Sequence, residues 1–333
     1  MGGPGRNCPL AYRYQPEDLA GPAAFAATIL YVVGGLYGNT CALDAVLKRA
    51  SAEPAPVEIV FNGDFHYLDA PPSTFRAIAE GVGAHRATLG NVEYALTATD
   101  TDLGCGCDYP DYISSSVVAD SNAVVERLRA TAAGSPEHLA RLAELPRHLT
   151  VSAGGRRIGI VHGDPESLAG WRLALEAVEP GDQAAREHTG WSGTPTSTDE
   201  VADWFVRAEV EVLCCTHTGL PYAQDFERDG RRYLVANNGA AGLPNFTGHR
   251  HGVITRLSSD PAAPADSLYG MELTGLRFDA LPVRYDAGQW AAEFLGTWPP
   301  GTPGHRGYHS RITSGTWLRI EQAARGGVRL AGG

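Results

Sequence analysis

Residues Val57–Asp69, VEIVFNGDFHYLD, constrain the fold more than any other stretch of the chain. Val57, Ile59, Val60 and Phe61 form a nearly unbroken apolar run, which is how a strand buried on both faces reads. The run stops at Asn62-Gly63, and Asp64 stands just past the strand end. In an open α/β sheet, ligands and metal ions bind in the crevice outside the carboxyl ends of the strands. A Gly-Asp pair is also an ordinary turn whose Asp caps the next helix. Partners for this carboxylate at other strand ends would separate the two readings.

Thr28–Val33 reads as a first buried strand, followed by the glycine-rich turn Gly34–Gly38 and a helix, Thr40–Arg49, capped by Asn39. Arg86–Leu89 is a short strand ending at Gly90-Asn91. Arg156–Val161 ends at His162-Gly163-Asp164, and Val210–Cys214 leads into Thr216-His217-Thr218-Gly219. Hairpin turns are expected at Gly154-Gly155 and Asp229-Gly230. Further helices are expected over Ser73–Val82, Asp120–Ala133, Pro136–Leu145, Leu168–Val178, Asp199–Ala208 and Ala287–Leu295. His251–Leu257 and Met271–Val283 read as additional antiparallel strands, and the tail as a Pro/Gly-rich end. Met1–Pro22 is expected to be an extended surface arm. The division that follows is an N-terminal extension, 1–27, and a single domain, 28–333, with an irregular insert at about 94–116 that contains Cys105-Gly106-Cys107. Crossovers early and hairpins late give an α/β class: two mixed sheets packed together, with helices outside.

Composition narrows the partners. The 333 residues are 43% hydrophobic and 20% charged, with 27 basic and 38 acidic residues and a net charge of -11. No basic stripe is present, so nucleic acid is not expected as a partner, and phosphate would need a local centre such as a metal. No apolar run reaches the length of a membrane span and no signal-peptide order opens the chain. A cytoplasmic location is expected, with Cys8, Cys41, Cys105, Cys107, Cys214 and Cys215 as thiols or ligands rather than disulfides. Oligomeric state is not legible.

Asp64, Asn91, His162 and His217 thus stand at four successive strand ends. Each has a plain alternative: a turn residue for Asn91, a satisfied core histidine for His162 or His217. Together, a carboxylate, an amide oxygen and two imidazoles suit one divalent ion such as Zn, Mn or Fe(II).

The order of these blocks resembles that of the calcineurin-like metallophosphoesterases, which run D-x-H-G-N, G-D-x-x, G-N-H-[ED], a His, then G-H-x-H. The corresponding residues are Gly35-Leu36-Tyr37-Gly38-Asn39, Gly63-Asp64-Phe65-His66-Tyr67, Gly90-Asn91-Val92-Glu93, His162-Gly163-Asp164 and Thr216-His217-Thr218-Gly219. Asn237–Gly242 is similar to a turn of small bacterial members, and Tyr285-Asp286, Trp290 and Tyr308-His309-Ser310-Arg311 also look like their tails. The resemblance spans about Thr28 to Asn245. It implies a four-layer sandwich, two mixed β-sheets flanked by helices, and hydrolysis of a small phosphorylated substrate, a phosphoester or phosphoanhydride.

Departures from the pattern sort by site. Such enzymes hold two metals bridged by the second-block Asp. The ligands that would complete one site are replaced by Gly35, Tyr37 and Gly219, whereas Asp64, Asn91, His162 and His217 keep the other. One metal is expected. Tyr67, spaced as the iron-binding Tyr of purple acid phosphatases, and Tyr37 are candidates for a rebuilt second site, with aromatic packing as their alternative. Val92 stands where the family places the His thought to protonate the leaving group; His66, His249 and His251 are candidate substitutes, each also readable as a solvated loop histidine. Cys105, Cys107 and Cys215 remain open between ligation and packing, and Cys214 reads as a small buried hydrophobe. Two further functions stay in view: an inactive or weak relative binding a nucleotide, phosphate or protein, and a metal site turned to non-phosphate chemistry.

Overall fold

The computed structural model describes residues 3–99 and 101–331. The strands of its first part are β1 (Ala26–Ala27), β2 (Ile29–Val33), β3 (Val57–Asn62) and β4 (Arg86–Thr88). Next come β5 (His148–Ala153), β6 (Arg156–Val161), β7 (Val212–Cys215), β8 (Tyr222–Arg228) and β9 (Arg231–Asn237). The last part supplies β10 (Gly252–Ser258), β11 (Tyr269–Leu273), β12 (Leu276–Val283), β13 (Ala324–Arg325) and β14 (Arg329–Leu330). They form two seven-stranded mixed sheets, in the orders β14-β11-β12-β10-β2-β3-β4 and β1-β5-β6-β7-β9-β8-β13. Helices flank them, so the two-sheet α/β expectation holds.

Each sheet has a parallel centre at the site. β2 pairs parallel with β3 and β3 with β4 in one, and β6 pairs parallel with β7 and β7 with β9 in the other. All residues of β2 and β7 are buried, as their apolar runs require when both faces are covered. The carboxyl ends of these strands meet. An isolated parallel bridge, Gly35–Ala240, links the chain just past β2 to the chain just past β9. A side chain at Gly34 is excluded there, because a Cβ would lie 2.1 Å from the Gly239 carbonyl oxygen.

Several expectations need correction. Leu168–Val178 is a series of turns rather than a helix. The Asp164 carboxylate holds it in that form: Oδ1 accepts from the Glu166 and Ser167 amides, and Oδ2 from the Arg172 amide. These bonds outweigh the helical periodicity of its apolar residues. The N-terminal arm is not simply surface: Tyr12 and Leu19 are fully buried, and the Tyr14 hydroxyl donates to the Asp164 carbonyl at 2.8 Å. Within the insert, Asn91–Thr97 is helical and a long helix begins early, at Ser115–Ala132. Met271–Val283 divides into the hairpin β11–β12. The tail contains an unforeseen helix, Pro303–Ser314, which packs against Ser115–Ala132. No helix among the described residues is long and apolar enough to cross a membrane.

Candidate functional site

Asn62, the last residue of β3, ties the strand ends together. Its Nδ2 donates at 2.8 Å to the Val161 carbonyl and to Thr216 Oγ1, and its Oδ1 accepts from Thr88 Oγ1. The His162 carbonyl in turn accepts from the amides of Thr216 and His217, both at 2.8 Å. Strand ends from both sheets are therefore locked by buried hydrogen bonds, which are costly to break where water cannot replace them.

Asp64 follows in a left-handed turn, with φ of 74° at Gly63 and 53° at Asp64. Glycine is required at 63 on two counts: the positive φ, and a Cβ that would lie 2.5 Å from the Gly90 backbone and 2.6 Å from His162 Nδ1. Glu93 braces this turn. Its Oε2 accepts from the Asp64 amide at 2.7 Å and the Gly90 amide at 3.0 Å, and its Oε1 from the His66 amide. Burial and the neighbouring Asp64 raise the Glu93 carboxyl to about 7.

The four expected ligands converge. His162 Nε2 lies 3.2 Å from Asn91 Oδ1 and 3.5 Å from Asp64 Oδ1, and the His162 and His217 rings are 5.2 Å apart. Asp64, His162 and His217 form the one buried group of acidic, Cys and His side chains among the described residues whose donor atoms could share a metal ion.

Hydrogen bonding fixes which atoms face inward. A carbonyl oxygen only accepts, so His162 Nδ1 donates to the Asn62 carbonyl at 2.8 Å and leaves Nε2 as the inward atom. His217 Nε2 likewise donates to the Cys107 carbonyl at 3.0 Å, which turns Nδ1 inward; that atom is buried and has no hydrogen-bond partner. Asn91 Nδ2 donates to the Cys105 carbonyl at 3.1 Å and lies 3.4 Å from Cys107 Sγ, so Oδ1 faces His162 Nε2. Two lone pairs 3.2 Å apart repel unless a proton or a cation lies between them. Orphaned Nδ1, opposed acceptors and a carboxylate together fit a divalent cation.

The charges agree. Burial alone would raise the Asp64 carboxyl, but the imidazoles of His162 and His217 hold it below its usual range. Burial acts to lower His162, and Asp64 outweighs it and raises that imidazole. His217 is pushed down to about 4, by burial first and then by His162, so it is a neutral donor at physiological pH.

Around these atoms lies a cavity of about 180 Å³, also lined by Tyr37, Tyr67, Tyr109, Trp171, Tyr308 and Arg311. Val92 lines it too, with no proton to give. His66, His249 and His251 do not, which corrects their candidacy as acids. His66 is buried against Phe75, ring centroids 4.1 Å apart, and paired with Asp69 at 2.6 Å. Tyr37 and Tyr67 pack edge to face at 5.9 Å, and Tyr67 meets Tyr308 at 5.4 Å. Burial raises the phenols of Tyr37, Tyr67 and Tyr308 well above their ordinary value, so all three stay protonated at neutral pH. Of the cysteines, Cys107 reaches the cavity wall; Cys214 and Cys215 are buried within β7.

Gly35, Tyr37 and Gly219, the three positions that depart from the two-metal pattern, form one packed unit. The Tyr37 ring lies across Gly35, and its hydroxyl is 3.1 Å from where a Cβ on Gly219 would sit. Tyr37 holds this place at φ 52°, a strained value for a bulky residue, stabilised by its amide donating to the Asp64 carbonyl.

Sequence reasoning missed the two carbonyls of the Cys105-Gly106-Cys107 loop and the Trp171 wall, and it placed Arg311 in a family-like tail without giving it a role. Arg311 Nε donates to the Pro244 carbonyl at 2.8 Å and one of its terminal nitrogens to the Gly219 carbonyl at 2.7 Å.

No protein-family profile and no curated protein matches the sequence. Solved structures do. A metallophosphoesterase from Sphaerobacter thermophilus is 17% identical and aligns over 87% of this chain and 100% of its own, with a TM-score of 0.52. A hypothetical protein from Pyrococcus horikoshii OT3 is 16% identical over 87% of this chain and 99% of its own, with a TM-score of 0.54. The chain has the metallophosphoesterase fold.

Proposed function

We propose that the protein is a metal-dependent hydrolase of phosphoesters or phosphoanhydrides, working with one divalent ion held by Asp64, Asn91, His162 and His217. The inward-facing, unpartnered Nδ1 of His217, set among three other donors, carries the reading. Manganese, zinc or iron would suit this donor set. Bound there, such an ion supplies positive charge to a phosphoryl oxygen and lowers the pKa of water.

The chain's own residues supply the rest. The Cys105 and Cys107 carbonyls orient Asn91 and His217, and Asn62 orients His162. The protonated phenols of Tyr37, Tyr67 and Tyr308 present hydrogen-bond donors rather than charge to an anionic substrate. In hydrolysis a water oxygen forms the new P–O bond, and the departing oxygen leaves with the bonding pair. His217 is assigned to the ion and no other imidazole lines the cavity among the described residues, so phosphoanhydrides and aryl esters, whose leaving groups need no proton, are the expected substrates. A cytoplasmic site of action belongs to the same proposal, in keeping with six free cysteines.

A binding role without turnover is the second reading, and Val92 in the cavity wall favours it. The experiment is metal content per chain by plasma mass spectrometry on the purified protein and on Asp64→Ala. Turnover of an aryl phosphodiester with added manganese is measured alongside. About one ion, lost in the variant together with turnover, supports the hydrolase. One ion without turnover on any aryl or anhydride substrate moves the protein to the binding class, and no ion under any loading sinks the hydrolase reading and leaves a binding protein.

A further inference from the structure

Among the described residues Arg311 is the one Arg or Lys lining the cavity, and it is incompletely used. It sits on the helix Pro303–Ser314, half-buried, against the Tyr37–Gly35–Gly219 unit. Its partners are the Pro244 and Gly219 carbonyls and, at 3.3 Å, Asn245 Oδ1. No carboxylate lies within ion-pair distance among the described residues, in contrast to Arg256 or Arg49 elsewhere in the chain. The second terminal nitrogen, Nη1, has no hydrogen-bond partner among the described residues and lies 3.6 Å from where a Cβ on Gly219 would sit. A guanidinium remains charged even when partly desolvated. This cation is therefore held on neutral oxygens, beside the ligand set, with donor capacity to spare.

A second cavity, of about 680 Å³, also lined by Arg311, opens between the helices Ser115–Ala132 and Pro303–Ser314. It shares Tyr67, Tyr109, Tyr308 and Arg311 with the smaller one, and continues along Val117 and Val124. Arg311 stands at the seam between a small polar chamber and a larger aromatic cleft.

We infer that Arg311 takes the place of a second metal ion: its free Nη1 donates to a non-bridging oxygen of the substrate's phosphate, while the organic part of a phosphoester lies in the aromatic cleft. This deepens the single-metal hydrolase reading and rests on it. A guanidinium matches phosphate geometry with directed donors, which a bare ion does not offer. The substrate class is accordingly a phosphoester with an apolar or planar organic group rather than a small inorganic anhydride.

The test measures inorganic phosphate binding by calorimetry, with manganese present, for the wild type, Arg311→Lys and Arg311→Met, beside metal content for each. The expected result is one metal in all three and phosphate affinity about ten- to a hundredfold weaker in Arg311→Met, with partial recovery in Arg311→Lys. Unchanged phosphate affinity in a folded Arg311→Met that retains its metal overturns the proposal and leaves the metal site standing. Two ions per wild-type chain also overturn it, since the place assigned to Arg311 would be filled. Loss of metal from the wild type instead strikes the hydrolase reading. Because Arg311 bonds two loops, its variants could misfold. Crystals of wild-type protein grown with manganese and soaked in phosphate decide the matter independently: the anion within hydrogen-bond distance of Nη1 supports the proposal, and an anion bound to the metal side alone overturns it.

Discussion

The Tyr37 ring occupies the space that any side chain at position 35 would need: a Cβ there would lie 2.5 Å from Tyr37 Cε2. The two departures from the two-metal pattern are thus one packing arrangement. Gly35→Ala should destabilise the protein by about 1–3 kcal/mol, the range for overpacking a filled interior. In a Tyr37→Ala background the same change should cost much less. A double-mutant cycle from denaturant melts checks this, and equal costs in both backgrounds would show that the ring is not the obstacle.

Gly106 lies between the two carbonyls that aim Asn91 and His217, at φ 70°, and a Cβ there would meet the Tyr12 hydroxyl at 2.4 Å. Gly106→Ala should displace the Cys107 carbonyl and weaken metal binding by about ten- to a hundredfold, as for other groups that orient metal ligands. Gly155→Ala is the control: its φ is 73°, so it carries similar backbone strain, but nothing lies within 4 Å of the added Cβ. Metal titration of both variants separates a site effect from a general one.

Glu53 accepts from Arg256 Nε at 2.8 Å and from the Tyr31 hydroxyl, and Arg256 is 3% exposed. Burial acts to raise the Glu53 carboxyl, yet the hydrogen bonds from Arg256 and Tyr31 hold it below its usual 4.5. A carboxyl lowered on folding stabilises the native state above its unfolded pKa, and that contribution is lost as pH falls through the folded value. Glu53→Gln should therefore cost roughly 2–4 kcal/mol at pH 7, less than a fully orphaned charge because Asp279 stays near Arg256. Thermal melts from pH 7 to pH 3 should show the gap between variant and wild type closing in acid. A gap that stayed constant with pH would mean the ion pair contributes nothing.

All six cysteines are free, but their thiols are unequal. Burial raises Cys107, Cys214 and Cys215 well above the ordinary thiol value, and raises the half-buried Cys8 and Cys41 as well. Alkylation of the native protein at pH 7.5 should be slow throughout and reach Cys8 and Cys41 first, because reaction needs an accessible thiolate. Rapid modification of Cys107, mapped by peptide mass spectrometry, would contradict the cavity described above.

What could be read from the sequence was the part in which each residue's surroundings are local. Ile59–Phe61 of β3, Ile158–Val161 of β6 and all of β7 are apolar and buried because both faces are covered, and the polar ends at Asp64, His162 and His217 follow directly. Leu168–Val178 could not be read, since the bonds that keep it from being a helix come from Asp164, outside the segment. The helix Pro303–Ser314 was obscured by Gly304 and Gly307. Its signals were Pro303 at a helix start, and Tyr308 and Arg311 three residues apart on one face. Arg311 itself could not be assigned without the fold, because the loops it bonds lie 67 and 92 residues away in the chain.

The bonds that gather the strand ends join residues 99, 154 and 100 positions apart, from Asn62 to Val161, Thr216 and His162. Contacts of such long sequence separation form late, because the entropy of closing the intervening loops must be met first. The chamber therefore has no counterpart in a half-folded chain: neither sheet alone carries it. Capture of a metal should coincide with the slowest step of refolding rather than precede it, which stopped-flow mixing with a fluorescent metal indicator would resolve. On the proposed reading an ion would not template the architecture; its capture would report that the two halves have docked.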